Sequence, residues 1–317
     1  MTRPLTLPRR FLGALTAATV IVAACASGAT PSPVGPSAAP SGSAAASSST
    51  PAVLPVPVTT EFRIGDNRTV FSLLDSSGQK PVAAPDRTLA IGYRGPNGET
   101  IAPAPQTFVW AIEGVNGVYV GRATFPSAGA WQADFTTEAP GSPAVTLTFS
   151  FDVAQKATVV SPGDPAPSVD TPTLADVGGD LARISTDSKP VKRFYETSVA
   201  DALAAKKPFV LVFATPKFCQ TATCGPTLDK VKPVAAAHPD MTFINVEPYE
   251  LQLESGQLQP VLNGGQLVPA PATTAYRLRS EPFVFVVGAD GRVSASFELV
   301  FAPDELESAV AAVEGAG

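Results

Sequence analysis

Charge is scarce in this chain. Charged residues make up 16% of its 317 residues, and the formal net charge is −6. The only clustered positive charge lies at the extreme N-terminus, so no basic patch of useful density exists and nucleic acid is excluded as a partner. Histidine occurs once and methionine twice, and residues 57–155 hold no cluster of either that could form a copper site. Long apolar runs are missing beyond the first 24 residues, so no later segment is long enough to span a bilayer as a helix. Cysteine is limited to three. Proline and glycine, at 33 and 25, are plentiful beside an ordinary 44% of apolar residues. Part of the chain must therefore be linker, and the length allows about two domains.

Arg3, Arg9 and Arg10 precede an apolar stretch, Phe11 to Ala24, that closes as Val22-Ala23-Ala24-Cys25. This is a charged region, an apolar region and a small-residue cleavage site, and it falls short of the roughly 20 apolar residues of a spanning helix. The ending resembles the lipobox of bacterial lipoprotein precursors. The resemblance implies a signal peptide over residues 1–24, lipid on the Cys25 sulfur, and anchoring to the outer face of the cell membrane. A plain secretory signal with an incidental cysteine is the alternative. Residues 25–56 hold mainly Ala, Ser, Pro and Gly. They cannot bury enough surface to offset their ordering entropy and are expected to form a tether.

Residues 57–155 change to short β-like runs between Gly, Pro, Asn and Asp. Val70–Leu74, Thr88–Tyr93, Thr107–Ile112, Gly117–Phe125, Ala130–Thr136 and Ala144–Val153 read as strands. Thr146 to Phe151 alternates polar and apolar residues, the mark of a sheet with one buried face. About 100 residues of such strands predict an all-β, immunoglobulin-like sandwich. No cysteine pair staples it, and Trp110 and Trp131 are expected to fill its core. A spacer or partner-docking role is the expectation for this part.

Residues 156–317 read differently. Phe209–Phe213 is a wholly apolar strand, broken at Thr215-Pro216 and followed by Cys219 and Cys224. A helix over about 225–237 comes next, with Pro233 inside it to kink or split it and His238-Pro239 to stop it. A strand over 242–247 follows, then an unplaced stretch over 248–280, a hairpin of Phe283–Val287 and Val293–Leu299, and a closing helix near 304–314. At three places the half is similar to the thioredoxin family. These are the strand leading into Cys219, the Ser280-Glu281-Pro282-Phe283 string where that family carries a cis-proline, and the Asp290-Gly291 turn. The resemblance implies an α/β thioredoxin-like fold over 156–317. It also implies a cis peptide before Pro282, and Glu281 and Pro282 lining a substrate groove.

Cys25 being assigned to lipid, two cysteines remain, an even number suited to an oxidising compartment. A Cys219–Cys224 disulfide is the default state, and its short loop gives it limited value as a staple. Were all five intervening steps helical, the Cα atoms would stand about 8.7 Å apart, beyond the roughly 7 Å that bridging tolerates. Either Cys219 lies outside the helix, which starts near Gly225-Pro226, or the first helical turn unwinds on oxidation.

Thiol–disulfide exchange with a protein substrate or redox partner is the leading reading, with Cys219 and Cys224 as catalytic residues and no metal or cofactor. Cys219 is preferred as the attacking thiol. A second register, matching Cys224-Gly225-Pro226 to the family's motif, would make it Cys224. The family's Cys-x-x-Cys is lengthened here, its tryptophan is replaced by Phe218, and its buried acid gives way to apolar residues near Phe213. Three alternatives stand beside exchange: a binding or assembly lipoprotein with a structural bridge, a peroxidase using Thr215, and copper delivery using His238. Glu247 and Glu250 read as solvated charges at a strand end.

Overall fold

The computed structural model describes residues 52–315. The signal peptide, Cys25 and most of the tether lie outside the described residues. The described residues fall within one compact unit.

Nine strands build the first half: Val53–Pro57 (β1), Phe62–Arg63 (β2), Gly65–Asp75 (β3), Thr88–Arg94 (β4), Thr100–Pro105 (β5), Thr107–Ile112 (β6), Asn116–Phe125 (β7), Gly129–Glu138 (β8) and Val145–Ala154 (β9). They form a four-stranded sheet ordered β1-β3-β7-β6 and a five-stranded sheet ordered β2-β9-β8-β4-β5. Alternate residues of both sheets turn inward, so Phe71, Tyr119 and Phe125 meet Ile91, Trp131 and Phe135 in one aromatic-rich core. Trp131 is fully buried and its indole N–H donates to the Ser127 carbonyl at 3.1 Å, whereas Trp110 is only partly buried. Val53–Pro57, expected to end the tether, instead pairs antiparallel with β3. Its Val53 is buried, and its prolines are tolerated because an edge strand needs only half of its N–H groups.

The second half contains helices Val199–Ala204 (α1), Cys224–Ala237 (α2), Pro271–Tyr276 (α3) and Pro303–Glu314 (α4). Its strands are Phe209–Phe213 (β10), Thr242–Val246 (β11), Leu251–Glu254 (β12), Gln257–Pro260 (β13), Leu262–Asn263 (β14), Gln266–Leu267 (β15), Phe283–Val287 (β16) and Val293–Glu298 (β17). The main sheet runs β11-β10-β16-β17. β10 and β11 pair in parallel across α2, and β16 is antiparallel to both β10 and β17. Every residue of β10 is fully buried. Val210 and Val212 face α2 and α4 through Leu228, Val231, Leu306 and Val310. Phe209, Leu211 and Phe213 face α1 and α3 through Val199, Ala202, Ala272 and Tyr276. That two-sided burial explains why the run is continuously apolar rather than alternating.

The predicted α/β thioredoxin-like class is not what the chain forms. The described residues are predominantly β, with 40% in strands, which form several sheets, against 17% in helix. Two of the four helices run for only six residues. The stretch over 248–280 adds two small hairpins, β12–β13 and β14–β15, where an α/β chain would place helix. Gly256, Gly264 and Gly265 adopt positive φ at these turns, a conformation that closes hairpins and ends helices. Residues 156–198 contribute two 3₁₀ turns, Leu181–Arg183 and Lys192–Tyr195, and an isolated antiparallel bridge from Pro165 to Arg292.

The two halves share a core. Val70, Val109, Val118 and Val120 of the first sheet pack with Val300, which follows β17. Above them the Arg68 guanidinium grips the Glu305 carboxylate with two hydrogen bonds, both 2.8 Å. Lys230 of α2 donates to the Trp110 carbonyl at 2.6 Å and to the Phe301 carbonyl at 3.0 Å.

Candidate functional site

β10 delivers the chain to Thr215 and Pro216, where the Phe218 N–H closes a turn on the Thr215 carbonyl at 3.2 Å. Cys219 follows in irregular chain. Ala222 takes a left-handed φ of 60°, a conformation that costs a non-glycine residue on the order of 1 kcal/mol. This bend returns the chain so that α2 begins at Cys224, with Cα atoms 6.0 Å apart and Cys219 bonded to Cys224 in a disulfide. Pro226 sits in the first turn of the helix, where a missing N–H is no loss. α2 continues through Pro233 as one helix.

The two sulfurs are unlike. Cys224 is fully buried among Leu228, Val212 and Val284, whereas Cys219 is partly exposed. The Cys224 N–H, the first of α2, donates to the Cys219 Sγ at 3.2 Å. The Thr221 hydroxyl stands 3.4 Å from the same sulfur. The positive end of the helix and a directed N–H both favour a thiolate on Cys219 once the bridge is reduced.

Glu281 completes the site. The Glu281–Pro282 peptide is cis. Glu281 and Pro282, expected to line a substrate groove, are both buried, and the Pro282 carbonyl accepts from Leu299 N–H at 2.8 Å. With 5% of its surface exposed, the Glu281 carboxylate lies beneath the bridge, one oxygen within 4.8 Å of both sulfurs. Its Oε1 accepts from the Gln220 N–H at 2.8 Å and its Oε2 from the Tyr249 hydroxyl at 2.6 Å. The Glu281 carbonyl accepts from the Thr221 hydroxyl at 2.8 Å, which ties the loop down. Burial, then the hydrogen bond to Glu281 and the charge of that carboxylate, push the Tyr249 hydroxyl up, so it remains a proton donor throughout the physiological range.

Tyr249 also borders a cleft of about 370 Å³ that includes Asn245, Glu247, Leu258, Val261 and Ala272. Glu247 is not a solvated strand-end charge. Burial pushes its carboxyl up to about 7 against the hydrogen bonds from Thr215 and Thr186. Glu250 is exposed. Thr215, the peroxidase candidate, directs its hydroxyl to Thr186 at 3.4 Å and to Glu247 rather than to a sulfur. His238 caps the far end of α2 and is held between Glu307 and Glu314, each at 2.7 Å. A helix of 14 residues, or roughly 20 Å at 1.5 Å per residue, separates it from Cys224. Among the described residues, the metal-competent group built on the cysteines contains no histidine.

Sequence reasoning placed Cys219, Cys224, Glu281 and Pro282 in one neighbourhood but missed Tyr249, Gln220 and Thr221. Tyr249 comes from a stretch with no periodicity, just after the Pro248 break. Its signal is chemical: a tyrosine beside a buried carboxylate is recognisable only once the chain is folded.

No family model and no curated protein matches the chain. Three solved structures show slight likeness. A DUF4426 family protein from Pseudomonas aeruginosa PAO1 is 18% identical, with 29% of this chain and 77% of that one covered and a TM-score of 0.23. Salmonella alpha-2-macroglobulin is 10% identical over 78% of this chain and 14% of that one, with a TM-score of 0.24. The chitinase ChiW of Paenibacillus sp. str. FPU-7 is 14% identical over 65% of this chain and 17% of that one, with a TM-score of 0.21. Likenesses this slight assign neither fold nor function.

Proposed function

We propose that this chain is an exported lipoprotein, anchored through Cys25, that exchanges thiols and disulfides with a protein partner through Cys219 and Cys224. One observation carries the reading: a partly exposed cysteine at a helix N-terminus is bonded to a fully buried one, with a carboxylate beneath both. A purely structural bridge has no need of that asymmetry. The apolar-lined cleft beside Tyr249 is of a size to take side chains of a polypeptide substrate.

In the reducing direction, the Cys219 thiolate attacks a substrate disulfide. One substrate sulfur leaves as a thiolate and takes a proton from water, and a mixed disulfide remains. Glu281 is the base nearest the Cys224 thiol and receives its proton. The Cys224 thiolate then attacks the Cys219 sulfur, the second substrate thiolate departs, and the pair has given two electrons to the substrate. The reverse sequence oxidises a dithiol substrate.

The test is the reduction potential of the full chain, read by thiol trapping in glutathione buffers. A value between about −120 and −270 mV agrees with exchange catalysis, and one well below about −300 mV marks a structural bridge and sinks the reading. Cys224→Ser should accumulate mixed disulfides on Cys219, and Cys219→Ser should not. The anchor has its own check: Cys25→Ser should abolish labelling by a radioactive fatty acid, and labelling that persists rules the anchor out. No helix among the described residues is long and apolar enough to cross a membrane.

A further inference from the structure

We propose that the reduced Cys219–Cys224 pair and Glu281 form a binding site for a thiophilic divalent cation, with Zn²⁺ as the fitting ion. Two sulfurs and one carboxylate oxygen lie within 4.8 Å of one another. A dithiol reductant breaks the bridge by supplying two electrons and two protons, leaving two thiols and its own disulfide. Metal binding then releases those two protons and forms two metal–sulfur bonds.

A tetrahedral ion with Zn–S near 2.3 Å and Zn–O near 2.0–2.2 Å needs its ligands about 3.4–3.8 Å apart. The Glu281 oxygen lies within 4.8 Å of both sulfurs, so a small shift of its side chain brings it to that spacing. The sulfurs part to such a spacing by rotation of Cys219, the partner that is not enclosed by core. The carboxylate is built for coordination. It is buried, and Gln220 N–H and Tyr249 O–H each occupy one position on one of its oxygens, which leaves each oxygen another lone pair. Such outer partners orient a ligand and commonly matter 10- to 100-fold in affinity. Two thiolates select against Mg²⁺ and Ca²⁺, and the carboxylate suits zinc better than a purely soft ion. Three protein ligands leave a fourth position open on the Cys219 side, an arrangement of reactive rather than purely structural zinc. The bound ion masks both thiols, so occupancy and disulfide formation exclude each other.

The experiment is competition for Zn²⁺ between a chromophoric chelator and the full chain, metal-stripped and reduced with a phosphine. One ion per reduced chain and none per oxidised chain is expected. Glu281→Gln should weaken binding at least tenfold, and Tyr249→Phe severalfold. Co²⁺ in place of Zn²⁺ should show thiolate-to-metal absorption that is lost in Cys219→Ser. Reduced wild type that leaves the ion with the chelator overturns the site, as does Glu281→Gln binding as tightly as wild type. If Glu281→Gln loses its fold by circular dichroism, Tyr249→Phe decides, and undiminished affinity in it overturns the carboxylate's role. No substrate is present in this titration, so its failure leaves the exchange reading intact, and a failed potential measurement leaves the metal site intact.

Discussion

Glu247 directly follows β11, and the chain turns away at Pro248. Its carboxylate accepts from the Thr186 N–H at 2.6 Å and the Thr186 hydroxyl at 3.1 Å. Burial outweighs these bonds and raises its pKa from 4.5 to about 7. The sign follows from linkage. Between the unfolded and folded values the native state binds more protons than the unfolded chain, so stability falls as pH rises through that window. Above about 7 the loss is complete, on the order of 1–3 kcal/mol. Glu247→Gln should therefore flatten the pH dependence of the urea midpoint between about pH 4.5 and 7 and leave the variant more stable than wild type at pH 8. A wild-type midpoint that rises across that interval, with the variant unchanged, would contradict the assignment. Thr186 also receives the Lys217 N–H at 3.3 Å. The same carboxylate thus braces the loop two residues before Cys219.

α2 carries its one irregularity at Pro233, which is exposed and has no N–H to offer the Asp229 carbonyl. The helix survives because Leu228, Val231, Val234 and Ala235 are buried against the sheet. Pro233→Ala should restore the hydrogen bond and stabilise the protein by about 1–2 kcal/mol, offset in part by the greater freedom of the unfolded chain. Chemical denaturation measures it, and a variant less stable than wild type refutes it. Elements with strong periodicity or continuous apolarity were legible beforehand: β10, β16, β17, α2, α4 and six strands of the first half. β1, β2 and β5 were not: β2 has only two residues, and Pro55, Pro57, Pro103 and Pro105 remove the usual strand signal from β1 and β5, all three strands lying at sheet edges. β12 to β15 lacked it too, with turns made by glycine and little burial to impose alternation. The α/β class assigned to the second half failed there, because strand-helix-strand order says nothing of what an unplaced stretch will add. The site was half legible. Cysteine spacing and a Glu-Pro string point to one locality, whereas the burial of Glu281 and its tie to Tyr249 depend on packing between elements distant in sequence.

The seam between the halves joins β3 to α4 through Arg68 and Glu305, with side-chain exposures of 10% and 27%. Glu305 also accepts from the Ala302 N–H at 2.9 Å, bracing the start of α4. Burial alone would raise the Glu305 carboxyl, but the Arg68 hydrogen bonds and charge outweigh it and hold it below its usual value. The stability it contributes is therefore present above the unfolded value and lost as pH falls through the folded one. Arg68→Ala should lower stability by about 1–3 kcal/mol, less than for a fully enclosed pair. Calorimetry should show one transition for wild type and a broadened or split one for the variant, and an unchanged single peak would show the seam to be dispensable. Leu299 to Ala302 runs through this seam. The Leu299 N–H holds the Pro282 carbonyl, the Leu299 carbonyl accepts from Thr227 of α2 at 3.5 Å, and Val300 lies in the shared core. The peptide beneath the sulfurs and the face of the sandwich are thereby clamped by one four-residue splint. A macromolecule that grips the sandwich consequently aims Cys219 without touching it, as a handle aims the blade fixed to it.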